Sequence, residues 1–146
     1  TKGVASHGVD PARIIVEISE STAMTDPPRT QKVLWSLHER GFRVAIDDFG
    51  TSYSPPARLK HLPVEILKLD QPLVRDLPDD ADVANFVQAV MLFAEELAIT
   101  PLAVGVETEA QRAFLLSRGC RLAQGYLFSR PVAAEDIPGL VQEAAD

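Results

Sequence analysis

Short apolar runs alternate along this chain with longer stretches in which apolar residues recur at steps of three and four. The short runs are Arg13 to Ser19, Phe42 to Asp48, Glu65 to Asp70, Pro101 to Val106 and the brief Leu122 to Tyr126. They are too short for helices and predict strands; the central one is rich in β-branched residues with Gly close behind, the pattern of a buried parallel strand. In the third run the period of two places Ile66, Lys68 and Asp70 on one side and Leu67 and Leu69 on the other. Helices are predicted between the runs. Asp26 with Pro27 and Pro28 opens one whose apolar stripe is Val33, Leu34 and Leu37 and which ends at Gly41. Trp35 lies off that stripe and shields its flank, and His38 faces solvent. Ala57 to Leu62 reads as a helical turn stopped by Pro63. Asp79 and Asp80 cap the longest helix, with Val83, Phe86, Val87, Val90, Met91, Ala94 and Leu97 facing the core. Thr108-Glu109-Ala110-Gln111 has capping-box spacing, and its helix stops at Gly119. A last helix runs through Leu140 and Val141. Strands alternating with helices in this way predict a parallel sheet with right-handed crossovers.

Polar residues collect at the C-terminal ends of these strands. The central run, Val44 to Ile46, ends in two adjacent carboxylates, Asp47 and Asp48, and then Gly50. Adjacent strand residues point to opposite sides, yet two acids can converge where the strand ends and the chain bends at Gly50. There they repel unless a cation or a proton sits between them. Turn formation or helix capping is the competing reading for an isolated Asp-Asp. Glu17 lies inside the first strand, where burial is costly without a partner or a metal; the alternative turns it to water. A buried Lys68 requires an anion or a carboxylate, with a structural Lys–Asp pair at a strand end as the plainer explanation. Glu107 and Gln124 fall at strand ends too. Several strands lending polar side chains to one mouth is the pattern of a (β/α) barrel site. Phe49 to Ala57 reads as a loop long enough to act as a lid.

Composition narrows the ligand. The 146 residues suit one domain, and 46% hydrophobic content argues against disorder. Fourteen basic against 21 acidic side chains give a net charge of −7. That disfavours nucleic acid and anionic membranes, and it means that a phosphate ligand needs a bridging metal. No apolar run approaches the roughly 20 residues of a membrane span, and no signal peptide opens the chain. The single cysteine, Cys120, excludes an internal disulfide and fits the cytosol. A cytoplasmic location is therefore expected.

Five ordered motifs carry a resemblance. They are Val16-Glu17-Ile18-Ser19-Glu20-Ser21, Ile46-Asp47-Asp48-Phe49-Gly50-Thr51, Leu67-Lys68-Leu69-Asp70, Gly105-Val106-Glu107-Thr108-Glu109-Ala110-Gln111 and Ala123-Gln124-Gly125-Tyr126-Leu127-Phe128-Ser129-Arg130-Pro131. With consistent spacing from about Pro11 to Ile137, they resemble the EAL family, bacterial domains that hydrolyse cyclic di-GMP to a linear dinucleotide. The resemblance implies an α/β fold, a modified TIM-like (β/α) barrel of EAL type. It also implies a two-metal site holding Mg²⁺ or Mn²⁺. It further implies that Glu17, Asp47 and Asp48 are metal ligands and that Lys68 orients the attacking water. Glu107 and Gln124 then line the substrate pocket, and Glu20 pins the lid loop.

Three departures from the family pattern shape the expectation. The chain starts several strands into the family fold, leaving about the last five parallel strands, so the Glu-X-Leu strand and an Asn ligand are missing. Val104 stands where the family has the glutamate expected to serve as ligand and general base, and Glu107 is expected on the opposite side of that strand. The lid reads Thr51-Ser52-Tyr53-Ser54-Pro55-Pro56, with Ser52 in place of the usual Gly. The expectation is a single EAL-type domain, catalytically degenerate, that binds cyclic di-GMP weakly or relays a signal. The alternatives are an active phosphodiesterase once the missing strands are supplied, and a ligand-free dimerising module. An open barrel interior is expected to expose Ile14, Ile46, Ile66 and Val106, favouring a homo-oligomer or the remainder of a longer parent chain as partner.

Overall fold

The computed structural model describes Val4, residues 6–50 and residues 56–143. Five strands form one sheet: β1 (Ile15–Ser19), β2 (Arg43–Phe49), β3 (Ile66–Leu69), β4 (Thr100–Val104) and β5 (Leu122–Gln124). Strands adjacent in sequence are adjacent in the sheet, and every pairing is parallel. Among the described residues β1 and β5 are the two edges. The helices are α1 (Glu20–Thr25), α2 (Pro27–His38), α3 (Gln71–Arg75), α4 (Ala81–Glu96), α5 (Glu109–Ser117) and α6 (Ile137–Glu143). No helix among the described residues is long and apolar enough to cross a membrane.

The caps fall where the residue types demand them. Asp26 accepts from the Arg29 N–H at the start of α2, and Asp80 accepts from those of Asp82 and Val83 at the start of α4. The capping box of Thr108 and Gln111 is closed in both directions. Helices α1 and α3 were not legible in the sequence. They contain six and five residues, too few to show a helical period, and each starts directly after a strand at its capping residue, Ser19 or Asp70.

The two faces of the sheet differ. Val44, Ile46, Leu67, Leu69 and Ala103 pack with Leu34, Val87, Val90, Met91, Ala94 and Leu115 into the main core. Alternation then puts Ile15, Glu17, Arg43, Ala45, Asp47, Ile66, Lys68, Leu102, Val104 and Gln124 on the opposite face, matched in register from strand to strand. The expected exposed set needs correction. Ile46 and Val106 are fully buried, Ile46 because it alternates with Ala45 onto the helix side, and Ile66 is buried although it lies on the open face. Ile14 is partly buried. The apolar side chains left in solvent on that face are Ile15 and Leu122, both on edge strands.

Two expected stripe members also lie outside the core. Val33 and Phe86 are exposed, whereas their neighbours Leu34 and Val87 are buried. Consecutive residues on a helix lie about 100° apart, so a narrow contact arc centred on one turns the other outward. Trp35 covers the flank of α2 and donates its indole N–H to the His61 carbonyl at 3.3 Å.

Candidate functional site

Glu17, Asp47 and Lys68 occupy three neighbouring strands on the same face. The Lys68 ammonium is nearly buried, donates to Glu17 Oε2 at 2.6 Å and lies 3.0 Å from Asp47 Oδ1. Burial opposes the charged lysine, but the hydrogen bonds it donates to Glu17 and Asp47, together with their negative charges, outweigh it and raise its pKa above the ordinary 10.5. The stabilisation from this clamp is present in full below that ordinary value and is lost as pH rises through the higher folded-state value. The lysine thus pairs across strands instead of with an aspartate at its own strand end. Asp70 is used locally: its carboxylate accepts the Gln71 N–H at 2.8 Å and caps α3.

The chain leaves the β2 register before Gly50. The pairing with β3 shifts between Ile46 and Phe49, and Asp48 itself adopts a left-handed φ of 56°. Its N–H donates to Asp47 Oδ1 at 3.0 Å. Asp48 is therefore released from strict alternation and can share the end of the strand with Asp47. Loss of surrounding water raises the Asp48 pKa; Asp47, Asp70 and Glu17 raise it further, and Lys68 opposes them.

Carboxylate oxygens suit Mg²⁺ or Mn²⁺. The point between Glu17 and Asp47, however, holds the Lys68 ammonium. Among the described residues no three His, Cys, Asp or Glu side chains are grouped to hold a metal ion. Glu17, Asp47 and Asp48 have the right donor chemistry but do not form a complete divalent site here.

Val104, Glu107 and Gln124 line a neighbouring cleft of about 220 Å³, together with Gln71, Gly105, Gly125 and Tyr126. This corrects the placing of Glu107. The strand ends at Val104 and Gly105 turns the chain at φ 80°, so alternation does not carry through to Glu107. The Glu107 and Thr108 N–H groups donate to Gln111 Oε1 at 2.8 and 3.0 Å, and Gln111 Nε2 donates to the Arg75 carbonyl at 3.2 Å. Buried Gln111 thereby ties the rim of the cleft to α3. Gln71 was not anticipated; its only signal was its place directly after a strand-end acid. Tyr126 lies in the last of the five motifs, where no local pattern marks it as part of a cleft.

Glu20 is buried, and its Oε2 accepts the Gly50 N–H at 3.3 Å. Gly50 is confined by packing: a Cβ there would come within 2.7 Å of Leu73 Cδ1 and 3.2 Å of Phe86 Cε1. Glu20 thus holds the chain where it enters the expected lid, whose residues 51–55 lie outside the described residues.

Val104 faces the same side as Lys68 and is only partly buried. Val104→Glu adds a carboxylate on the face that already carries Glu17 and Asp47, close to the acids that act on Asp48. In EDTA the thermal midpoint is expected to fall by roughly 3 °C, for a cost of about 1 kcal/mol. An unchanged or higher midpoint would mean that position 104 does not share this field.

Comparison with known proteins gives a consistent result. The sequence profile of the EAL domain matches residues 2–131. The chain is 41% identical over 131 residues to the Pseudomonas aeruginosa bifunctional diguanylate cyclase/cyclic di-GMP phosphodiesterase MucR, a match covering 90% of this chain and 19% of that protein. The solved phosphodiesterase of MucR in complex with c-di-GMP superimposes with a TM-score of 0.89 at 40% identity, covering 93% of this chain and 55% of the other. Klebsiella pneumoniae BlrP1, solved with cyclic di-GMP and calcium or manganese, gives a TM-score of 0.83 at 37% identity, covering 89% of this chain and 33% of the other. The chain therefore spans well under two thirds of the length of these relatives.

Proposed function

The chain belongs to the EAL domain family, and on that premise we propose that it is a catalytically degenerate EAL-type domain of bacterial second-messenger signalling. It binds cyclic di-GMP weakly or relays a signal, in the cytoplasm, and does not hydrolyse the nucleotide as it stands. The observation that carries this reading is Val104. It lines the cleft beside Gln124 and Glu107 at the position where the family pattern has a glutamate, and a valine can neither bind a metal nor accept a proton. The clamp on Lys68 supports the same reading, since its ammonium already answers the charge of Glu17 and Asp47.

In this proposal Glu17, Asp47 and Asp48 are the metal-facing acids, for Mg²⁺ or Mn²⁺, and Lys68 faces the scissile phosphate. Gln124 and Glu107 face the rest of the nucleotide, and Glu20 supports the loop. A second copy of the chain, or further strands of a longer parent, would cover the open face and the edges β1 and β5. If such strands supply more acidic ligands, the active phosphodiesterase becomes the second reading. Glu107, on the same cleft as Val104, is the observation in its favour.

Calorimetric titration with cyclic di-GMP in Mg²⁺ tests the proposal. Saturable heat of binding without turnover is the expected result. No heat at any accessible concentration would leave only a structural module.

A further inference from the structure

We infer that Gln111 is a positioning residue behind the cleft: its buried amide locks the Glu107 turn to α3, so that Glu107 and Gln71 keep a single mutual arrangement. The consequence for a ligand rests on the nucleotide reading above; the lock itself does not.

Gln111 is buried and does not line the cleft. It is the third residue of the capping box that opens α5. That duty requires only an acceptor. Its Oε1 accepts the Glu107 N–H at 2.8 Å and the Thr108 N–H at 3.0 Å, and a glutamate would serve there equally well. The other half of the amide does what a glutamate cannot. Nε2 donates to the Arg75 carbonyl at 3.2 Å, 36 residues away in sequence. That carbonyl belongs to the last residue of α3, one of the terminal groups a helix cannot satisfy from within.

Helix α3 has five residues, too few to stand alone. Asp70 holds its start, accepting the Gln71 N–H at 2.8 Å, and Gln111 holds its end. Gln71 also packs directly on the turn that leads to Glu107: a Cβ on Gly105 would come within 2.5 Å of Gln71 Cγ. Helix and turn therefore touch at Gly105 and are hydrogen-bonded through Gln111. Cutting the bond to Arg75 releases one end of α3, and with it the fixed relation between Gln71 and Glu107.

Gln111→Glu keeps the acceptor and removes the donor; Gln111→Met removes both. Amide hydrogen exchange is read first, without ligand. In Gln111→Glu the Glu107 and Thr108 N–H groups should exchange within about twofold of the parent. Val74 and Arg75 of α3 should exchange at least about fivefold faster, the equivalent of one net hydrogen bond. In Gln111→Met both sets should quicken. Val44 and Ile46 of β2 should be unchanged in Gln111→Glu, which separates local release from loss of fold. Calorimetry with cyclic di-GMP in Mg²⁺ follows. Gln111→Glu should weaken binding at least about fivefold. Made on top of Glu107→Ala it should weaken binding less than it does alone, because residues acting through one another do not add. The inference is overturned if Val74 and Arg75 exchange at the parent rate in Gln111→Glu. It is equally overturned if parent and Gln111→Glu bind cyclic di-GMP alike, or if the loss is the same with and without Glu107. A parent that gives no heat sinks the nucleotide reading instead, and the exchange rates then decide the lock by themselves.

Discussion

Incubated with cyclic di-GMP and Mg²⁺ or Mn²⁺, this chain is expected to release linear dinucleotide several powers of ten more slowly than a typical enzyme rate of about 1 s⁻¹ or more. Activation of water against a phosphodiester needs a cation site and a proton acceptor held together as one unit. The described residues present Glu17, Asp47 and Asp48, but no three acidic or imidazole groups assemble around a common point. The ammonium of Lys68 instead sits 2.6 and 3.0 Å from the carboxylates of Glu17 and Asp47, the acids proposed above to face the metal. In the proposal above, Val104 stands at the proton-accepting position. Glu107 lines the same cleft and is the candidate among the described residues to take its place. Linear product at about 1 s⁻¹ or more, abolished by Glu107→Gln, would overturn the degenerate reading and assign the base to Glu107.

Gly125→Ala is expected to be the most disruptive glycine-to-alanine substitution among the described residues. A Cβ at this position would lie 2.1 Å from the Val106 carbonyl oxygen and 2.3 Å from the Val106 nitrogen. Those are backbone atoms that no rotamer change can move aside. The φ of 157° adds a conformational penalty for any residue with a side chain. Relief would require separating the two segments, which are joined by the Val106 N–H to the Gln124 carbonyl and the Leu127 N–H to the Val106 carbonyl, both at 3.0 Å. A loss of about 3 kcal/mol or more is expected, lowering the thermal midpoint by roughly 10 °C. Gly119→Ala provides the control. Its φ of 88° is also left-handed, but nothing lies within 4 Å of the added carbon, so only the conformational cost of about 1–2 kcal/mol applies. Equal losses at the two positions would show that the close crossing at Gly125 does not exist. The position matters for the cleft because Gly125 sets Gln124 and Tyr126 on its wall.

Much of the architecture was legible without coordinates because it rests on local periodicity. Five apolar runs became five parallel strands, and Asp26, Asp80 and Thr108 capped helices where their residue types predicted, since strand alternation and capping are properties of a few consecutive residues. Membership of the family was equally legible, in five ordered motifs. Helices α1 and α3 were not, because a single turn leaves no period to read. Nor was the outward turn of Val33 and Phe86, which depends on how wide an arc of each helix its neighbours cover.

The chemistry of the site was decided almost entirely in three dimensions. The sequence supplied Glu17, Asp47, Asp48, Lys68, Glu107 and Gln124 but not their partners. Register between strands far apart in sequence brought Lys68 to Glu17 and Asp47, and away from Asp70, which was drawn into capping α3. The left-handed turn at Gly105 ended β4 earlier than the apolar pattern suggested, and the register shift around the left-handed Asp48 broke alternation inside β2. That is why Asp48 joins Asp47 at the strand end and Glu107 shares a cleft with Val104. Periodicity specifies which face a residue takes while the strand lasts. Only the folded chain determines where the strand stops, and beyond that point the direction of a side chain is set by contacts the sequence does not list.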